Sequence, residues 1–217
     1  MTYLSIDLDY WLAASWSDPV PLAGLFKLLR QVQNADWLVV DEHHHILDHL
    51  HQWNPSDILH VDYHTDVAFE TDWYLRRGSR IELNCGTFFW FLKNRENMRY
   101  TWFYPEADCP RGEGLCMDKS FKPLARKQWI FREQRRKMGL PTRKQLAEVK
   151  AVGFAISRDY CYAEDEYLQR IMQVLRKRYI PKGAAWRVDH ELKDLQEPLA
   201  PSCRQPEKVL DEELALA

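Results

Sequence analysis

Apolar positions along the chain fall into short unbroken runs that alternate with stretches of helical spacing. The first run, Tyr3-Leu-Ser-Ile-Asp-Leu-Asp-Tyr-Trp11, is broken only by two acids and a serine and predicts a buried strand ending near Asp9. Pro19 and Pro21 then close a loop, and apolar residues at 22, 25, 26, 28, 29 and 32 predict a helix of about 12 residues. Asp36–Val40 is a second strand, after which Ile46, Leu47, Leu50 and Trp53 continue at helical spacing as far as Asn54-Pro55. Ile58–Val61 is a third strand. Arg80–Leu83 reads as a short strand or extended turn, Gly86–Arg95 as an aromatic-rich helix, and Met98–Tyr104 as a strand. Residues 105–125 lack any period and predict a long loop or lid. Val149–Ile156 is the last predicted strand, and Glu164–Tyr179 an amphipathic helix with Tyr167, Ile171, Val174 and Leu175 on its apolar face.

Strands alternating with helices predict an α/β fold, a mostly parallel sheet covered on both faces. The 217 residues, 46% hydrophobic, suffice for one such domain, expected over 1–197, with a mobile Pro- and Glu-containing tail over 198–217. In parallel sheets the ligand crevice lies outside the carboxyl ends of the strands. Four predicted strands end there in acids, histidines or an arginine: Asp7/Asp9, Asp41–His45, Asp62/His64/Asp66 and Arg158/Asp159.

Composition narrows the chemistry. Thirty basic against thirty-two acidic residues give a net charge of −2, which offers no general field for nucleic acid or an anionic membrane. The longest apolar runs, such as Thr87–Leu92, are far shorter than the roughly 20 residues of a membrane span, and Met1–Tyr10 lacks a signal-peptide layout, so a cytoplasmic location is expected. Five cysteines without a Cys-x-x-Cys pair argue for reduced thiols. Eight glycines form neither a dinucleotide-binding nor a P-loop motif. Of eight histidines, His43, His44, His45, His49, His51, His60 and His64 crowd into one window and only His190 lies outside it.

Asp62-x-His64-x-Asp66 follows an apolar strand directly, and on extended backbone alternate side chains share a face. Two carboxylates and an imidazole suit Mn²⁺, Fe²⁺, Co²⁺ or Zn²⁺. Asp7 and Asp9 repeat the spacing, and two such acids at the end of a buried strand repel each other unless a cation or base lies between them. His43, His44 and His45 cannot all face one point, because side chains entering a helix diverge by about 100° per residue. His43, nearest the strand, is the expected ligand, His44 the fallback and His45 a surface residue. His49 and His51 are expected on a solvated helix face, and His60, inside a strand, as a satisfied core histidine. Ligands from separate strands point to two ions sharing carboxylates, and hence to hydrolysis.

Ile58-Leu-His-Val-Asp-Tyr-His-Thr-Asp66 resembles the strand-borne Asp-x-His-x-Asp manganese motif of the ureohydrolase superfamily, the arginases and agmatinases. Trp37-Leu-Val-Val-Asp-Glu-His43 resembles that family's earlier strand with its terminal metal-binding histidine. Ser5-Ile-Asp-Leu-Asp9 is similar to its Phe-Asp-x-Asp segment, although in the family that segment follows the other motifs. Glu42–Leu47, Ile81–Gly86 and Ile156–Cys161 further resemble a small arginase-like branch that includes peptide arginases, which convert arginine side chains of ribosomally made peptides to ornithine. The resemblance implies a three-layer sandwich and two Mn²⁺ ions, one held by Asp7, His43, Asp62 and Asp66 and the other by Asp7, Asp9, Asp62 and His64. It also implies Asp66 and Asp159 as catalytic carboxylates, and Asp159, Asn84 and Arg158 as the residues that receive the substrate. A metal-bridging hydroxide would attack the guanidinium carbon and urea would leave. The expected partner is an arginine-containing precursor peptide, and the basic Lys122–Arg143 run, otherwise a solvated face, could attract an acidic leader. Aromatics of the 102–129 stretch belong to the core or line a peptide groove. Hydrolysis of free arginine or agmatine, deacetylase-type chemistry, and a non-catalytic peptide-binding module remain as alternatives.

Overall fold

A computed structural model describes residues 1–12, 20–67, 81–105, 130–161 and 165–188. The 105–125 loop (but for its first residue), the 198–217 tail, His190, and Phe121 and Trp129 of the 102–129 aromatics lie outside them. Seven strands form one sheet: β1 (Thr2–Asp7), β2 (Asp36–Val40), β3 (Asp57–Val61), β4 (Arg99–Tyr104), β5 (Glu133–Met138), β6 (Val149–Ala155) and β7 (Ala185–Arg187). Their order is β5-β4-β3-β1-β6-β2-β7, and every neighbouring pair is parallel. The helices are α1 (Asp9–Leu12), α2 (Leu22–Gln31), α3 (Leu47–Trp53), α4 (Arg143–Leu146) and α5 (Asp165–Arg178). None of the helices among the described residues is long and apolar enough to cross a membrane.

Both faces of the sheet are covered. On one, the stripe Leu22, Leu25, Phe26 and Leu29 of α2 and Leu168, Ile171, Met172 and Leu175 of α5 pack against Leu4, Ile6, Val152 and Phe154. On the other, Ile46, Leu50, Phe88 and Phe89 pack against Tyr3, Ile58, Ala151 and Ala155. Fully burying each large aliphatic or Phe side chain contributes about 1.5–3 kcal/mol, which is what draws the helices onto the sheet. The α/β class predicted from the alternating pattern is the one observed.

Local differences from the sequence reading have physical causes. β1 ends at Asp7 rather than near Asp9, because the Asp7 side chain accepts the backbone N–H of Asp9 (3.1 Å) and turns the chain into α1. Residues 81–83 form no regular element. Gly86–Arg95 is not one helix but a 3₁₀ turn, Phe88–Phe91, followed by a second at Arg95–Asn97, with Asn94 between them in the left-handed region (φ 57°). The basic run contains β5, an edge strand whose Arg135, Arg136 and Lys137 are exposed. Its five polar residues before Met138 carry no alternation to read, and charged residues are a usual protection of a sheet edge.

Candidate metal centre

Because all strands run the same way, their carboxyl ends meet along one edge. β1 lies between β3 and β6, with Ile6 opposite Val61 and Asp7 opposite Ala155, so Asp7 and Asp62 emerge side by side. Alternation then selects a face. Tyr3, Ser5 and Asp7 on β1, and Ile58, His60 and Asp62 running through β3, point toward the layer that holds Phe88 and Phe89.

His43 reaches this point from β2, which is separated from β1 by β6. It does so on a 3₁₀ turn, His43–Ile46, that lies across β6. The β6 residues on that face are Ala151, Gly153 and Ala155. A Cβ on Gly153 would collide with the Tyr3 hydroxyl and approach Ile46 Cγ2 to 2.9 Å, so this glycine gives the turn its path over the sheet. Hydrogen bonds from Ile156 N to Val40 O (3.0 Å) and Ser157 N to Asp41 O (2.7 Å) continue the pairing of β2 with β6 to the site.

Nδ1 of His43 lies 3.1 Å from Asp7 Oδ2, 2.9 Å from Asp62 Oδ2 and 3.2 Å from Asp66 Oδ2. Nε2 of His60 lies 3.3 Å from Asp62 Oδ2 and 3.4 Å from Asp66 Oδ2. His43, His60, Asp7, Asp62 and Asp66 are all buried, none more than 6% exposed. A second group adjoins the first. Nδ1 of His64 is 2.9 Å from Asp9 Oδ2 and 3.7 Å from Asp62 Oδ1. The Asp62 carboxylate thus presents one oxygen to each group.

Backbone and neighbouring groups fix these side chains. Oδ1 of Asp62 accepts the N–H of His64 (2.6 Å), repeating the arrangement at Asp7 and leaving Oδ2 of both acids turned to His43. The Trp102 indole donates to the Asp62 carbonyl (2.9 Å), and Ser157 donates to Asp7 Oδ2 (2.5 Å). Asp66 occupies the left-handed region (φ 53°), which costs an ordinary residue about 1–3 kcal/mol. The Tyr100 hydroxyl, donating to the carbonyl of Thr65 (2.5 Å), helps to hold it there. Ser5 Oγ lies 2.7 Å from His43 Nε2 and 3.3 Å from His60 Nδ1. A hydroxyl oxygen can accept from both rings, so that with an ion in place His43 Nδ1 and His60 Nε2 would be free of protons and aimed at the carboxylates, as metal ligation requires.

The donor set fits a cation. His43 Nδ1, His60 Nε2 and Asp66 Oδ2 are buried and at ion-pair distance from one another's partners, yet make no aligned hydrogen bond. Buried polar atoms left in that condition are rare. Oxygen and imidazole donors suit Mn²⁺ and its neighbours in the first transition row. His43, His60, Asp62 and Asp66 form one group able to hold an ion, and Asp9, Asp62 and His64 another.

Without an ion, protons take up part of its role. Burial pushes the His43 imidazole down, but the contacts with Asp62, Asp66 and Asp7 outweigh it and hold it well above its ordinary value. Burial also works against protonation of His64, yet Asp9 raises it to about 10. Burial, then Asp62, raises Asp66 to about 6. Burial, followed by the charges of Asp62 and Asp7, raises Asp9 well above the usual carboxylate range. Asp62 goes the other way, since His60 and His43 overcome its burial.

Six expected ligands, Asp7, Asp9, His43, Asp62, His64 and Asp66, therefore come together. The fallback His44 does not join them; it faces Glu42 and Cys85. His60, expected as a satisfied core histidine, is buried but presents Nε2 to two carboxylates. His49 is not on a solvated face: it is 8% exposed and bridges the Tyr3 hydroxyl (2.9 Å) and Asp36 (3.0 Å). His51, half-buried, meets the carbonyl of Phe91 (3.2 Å), whereas His45 is exposed as expected. Of the expected substrate residues, Arg158 is exposed and pairs with Asp165 (2.9 Å), and Asp159 is exposed beside it on a 3₁₀ turn. Asn84 Oδ1 is used within its own turn by Gly86 N (2.9 Å) and the Thr87 hydroxyl (3.1 Å). The 157–160 turn still borders the centre through Ser157 on Asp7 and Tyr160, whose ring lies 5.8 Å from that of His64.

Comparison of the chain with protein-family models, with curated proteins and with solved structures finds no match. What stands is a parallel α/β sheet carrying a buried histidine and aspartate cluster compatible with a metal site.

Proposed function

We propose that the chain is a dinuclear metallohydrolase of the ureohydrolase type, using two Mn²⁺ ions to convert arginine side chains of a precursor peptide to ornithine with release of urea. The observation that carries this reading is the Asp62 carboxylate, whose two oxygens face two separate histidine and aspartate groups. His43, His60, Asp66 and Asp7 would hold one ion with Asp62, and Asp9 and His64 the other. Such a pair supplies Lewis acidity and a water acidified enough to act near neutral pH. Ser5 fixes the two buried imidazoles, Asp66 is held as a buried carboxylate beside them, and the phenylalanine layer keeps bulk water from the inner group. Asp159, on the turn that carries Tyr160 to His64, is the carboxylate proposed to orient the cationic guanidinium by a charge-assisted contact.

Incubating Mn²⁺-loaded protein with an arginine-containing peptide should release urea and lower the peptide mass by one CH₂N₂ unit; Asp62→Asn should abolish both in a protein that stays folded. Free arginine and agmatine, assayed beside the peptide, identify the substrate. No urea from any of these with any divalent metal refutes the reading. A non-catalytic peptide-binding module is the second reading, supported by the engagement of Arg158 and Asn84 elsewhere. Peptide binding without stoichiometric metal would favour it.

A further inference from the structure

A second set of donors adjoins the same 3₁₀ turn. Successive residues of such a turn diverge by about 120°, so His44 points away from the buried centre that His43 enters. There its Nδ1 lies 3.2 Å from Glu42 Oε2 and 3.6 Å from Cys85 Sγ, and Cys85 Sγ lies 3.6 Å from the same Glu42 oxygen. Carboxylate, imidazole and thiol so grouped suggest two chemistries, and geometry separates them. A nucleophilic relay needs the imidazole to meet the thiol with one ring nitrogen and the carboxylate with the other. Here thiol and carboxylate both converge on Nδ1, closing a triangle. With ligand distances of about 2.0 Å for oxygen and nitrogen and about 2.3 Å for sulfur, a tetrahedral ion spaces its ligands about 3.3 Å (O to N) and about 3.5 Å (to S) apart. The three observed separations follow that pattern, including the two longer edges at sulfur.

The geometry points to a separate binding site for a zinc-class divalent cation, held by Glu42, His44 and Cys85 with its fourth position open. A thiolate among the ligands favours Zn²⁺ or Co²⁺ over Mn²⁺, so this site and the all-oxygen-and-nitrogen centre would take different ions. The half-exposed Glu42 and the 20% exposed His44 side chains leave the ion reachable from solvent, the arrangement of an exchangeable or reactive site rather than a closed structural one. On binding, the Cys85 proton passes to solvent and the sulfur binds as thiolate. The site does not depend on the proposed hydrolase activity.

Co²⁺ titrated into chelator-stripped protein tests it, because a thiolate ligand gives a near-ultraviolet charge-transfer band that oxygen and nitrogen ligands do not. The wild-type protein and Asp62→Asn should both show the band, and added Zn²⁺ should bleach it. Cys85→Ser should lose it while still binding Co²⁺ at the buried centre. Glu42→Gln and His44→Ala should each weaken Zn²⁺ binding at least about tenfold. No band in the wild-type protein, a band that survives Cys85→Ser, or unchanged Zn²⁺ affinity in both other variants overturns the proposal.

Discussion

Loading the buried centre with metal should expel protons, chiefly from its two raised imidazoles. His43 and His64 both sit above their ordinary range, His64 at about 10, so at pH 7 each metal-free imidazole carries a proton that ligation must displace. Asp66, at about 6, adds a proton in roughly one molecule in ten at that pH, and Asp9, raised by burial and by Asp62 and Asp7, can only add to the release. About two protons should therefore leave at pH 7, and more at pH 6. Each released proton makes apparent affinity rise about tenfold per pH unit, so two give about a hundredfold per unit between pH 6 and 8. Calorimetric titration of Mn²⁺ into stripped protein in buffers of different ionisation enthalpy reads the number as a slope. A slope below one, or an affinity flat with pH, refutes the assignment of His43 and His64 as ligands.

Other perturbations test the supporting structure. Ser5→Ala removes the hydroxyl between the two buried imidazoles and should weaken metal binding about 10–100-fold with the fold intact, as chelator competition would show. Gly153→Ala should cost about 1–3 kcal/mol in denaturant unfolding and also weaken metal binding, since the added methyl pushes the His43 turn off β6; full stability and affinity would contradict that path. The metal-free protein should lose stability as pH rises. His64, raised from 6.5, contributes fully below pH 6.5 and ceases to as pH passes about 10, and Asp66, raised from 3.8 to about 6, begins to destabilise over that lower interval. Melting temperatures measured from pH 5 to 10 should fall without metal and fall less with it.

Much of this site was legible because parallel strands place their ends together. Asp7, His43 and Asp62 needed only the strand boundaries and the rule that ligands gather at carboxyl ends. His60 escapes a reading that takes a histidine inside a strand by itself. The period of two carries it onto the face of Asp62, and the register opposite Ser5 places it beside His43. His49 was missed for a different reason: its partners Tyr3 and Asp36 come from distant strands, which no helical period can reveal. β5 gave no signal because an edge strand need not bury a face. Gly86–Arg95 misled because aromatic spacing resembles a helix, whereas Phe88 and Phe89 are held by packing on His43, His60 and each other.

The strand order also dictates when the site can exist. β6, made of residues 149–155, separates β1 from β2, although both of those strands are complete by residue 40. During synthesis the first third of the chain therefore emerges with His43 lacking the surface that carries it across to Asp7. Pairings this distant in sequence close late and slowly. A nascent chain short of residue 155 would hold Asp7, Asp62 and Asp66 beside His60 but without His43, and the complete buried centre should assemble only once the second half has been released to fold.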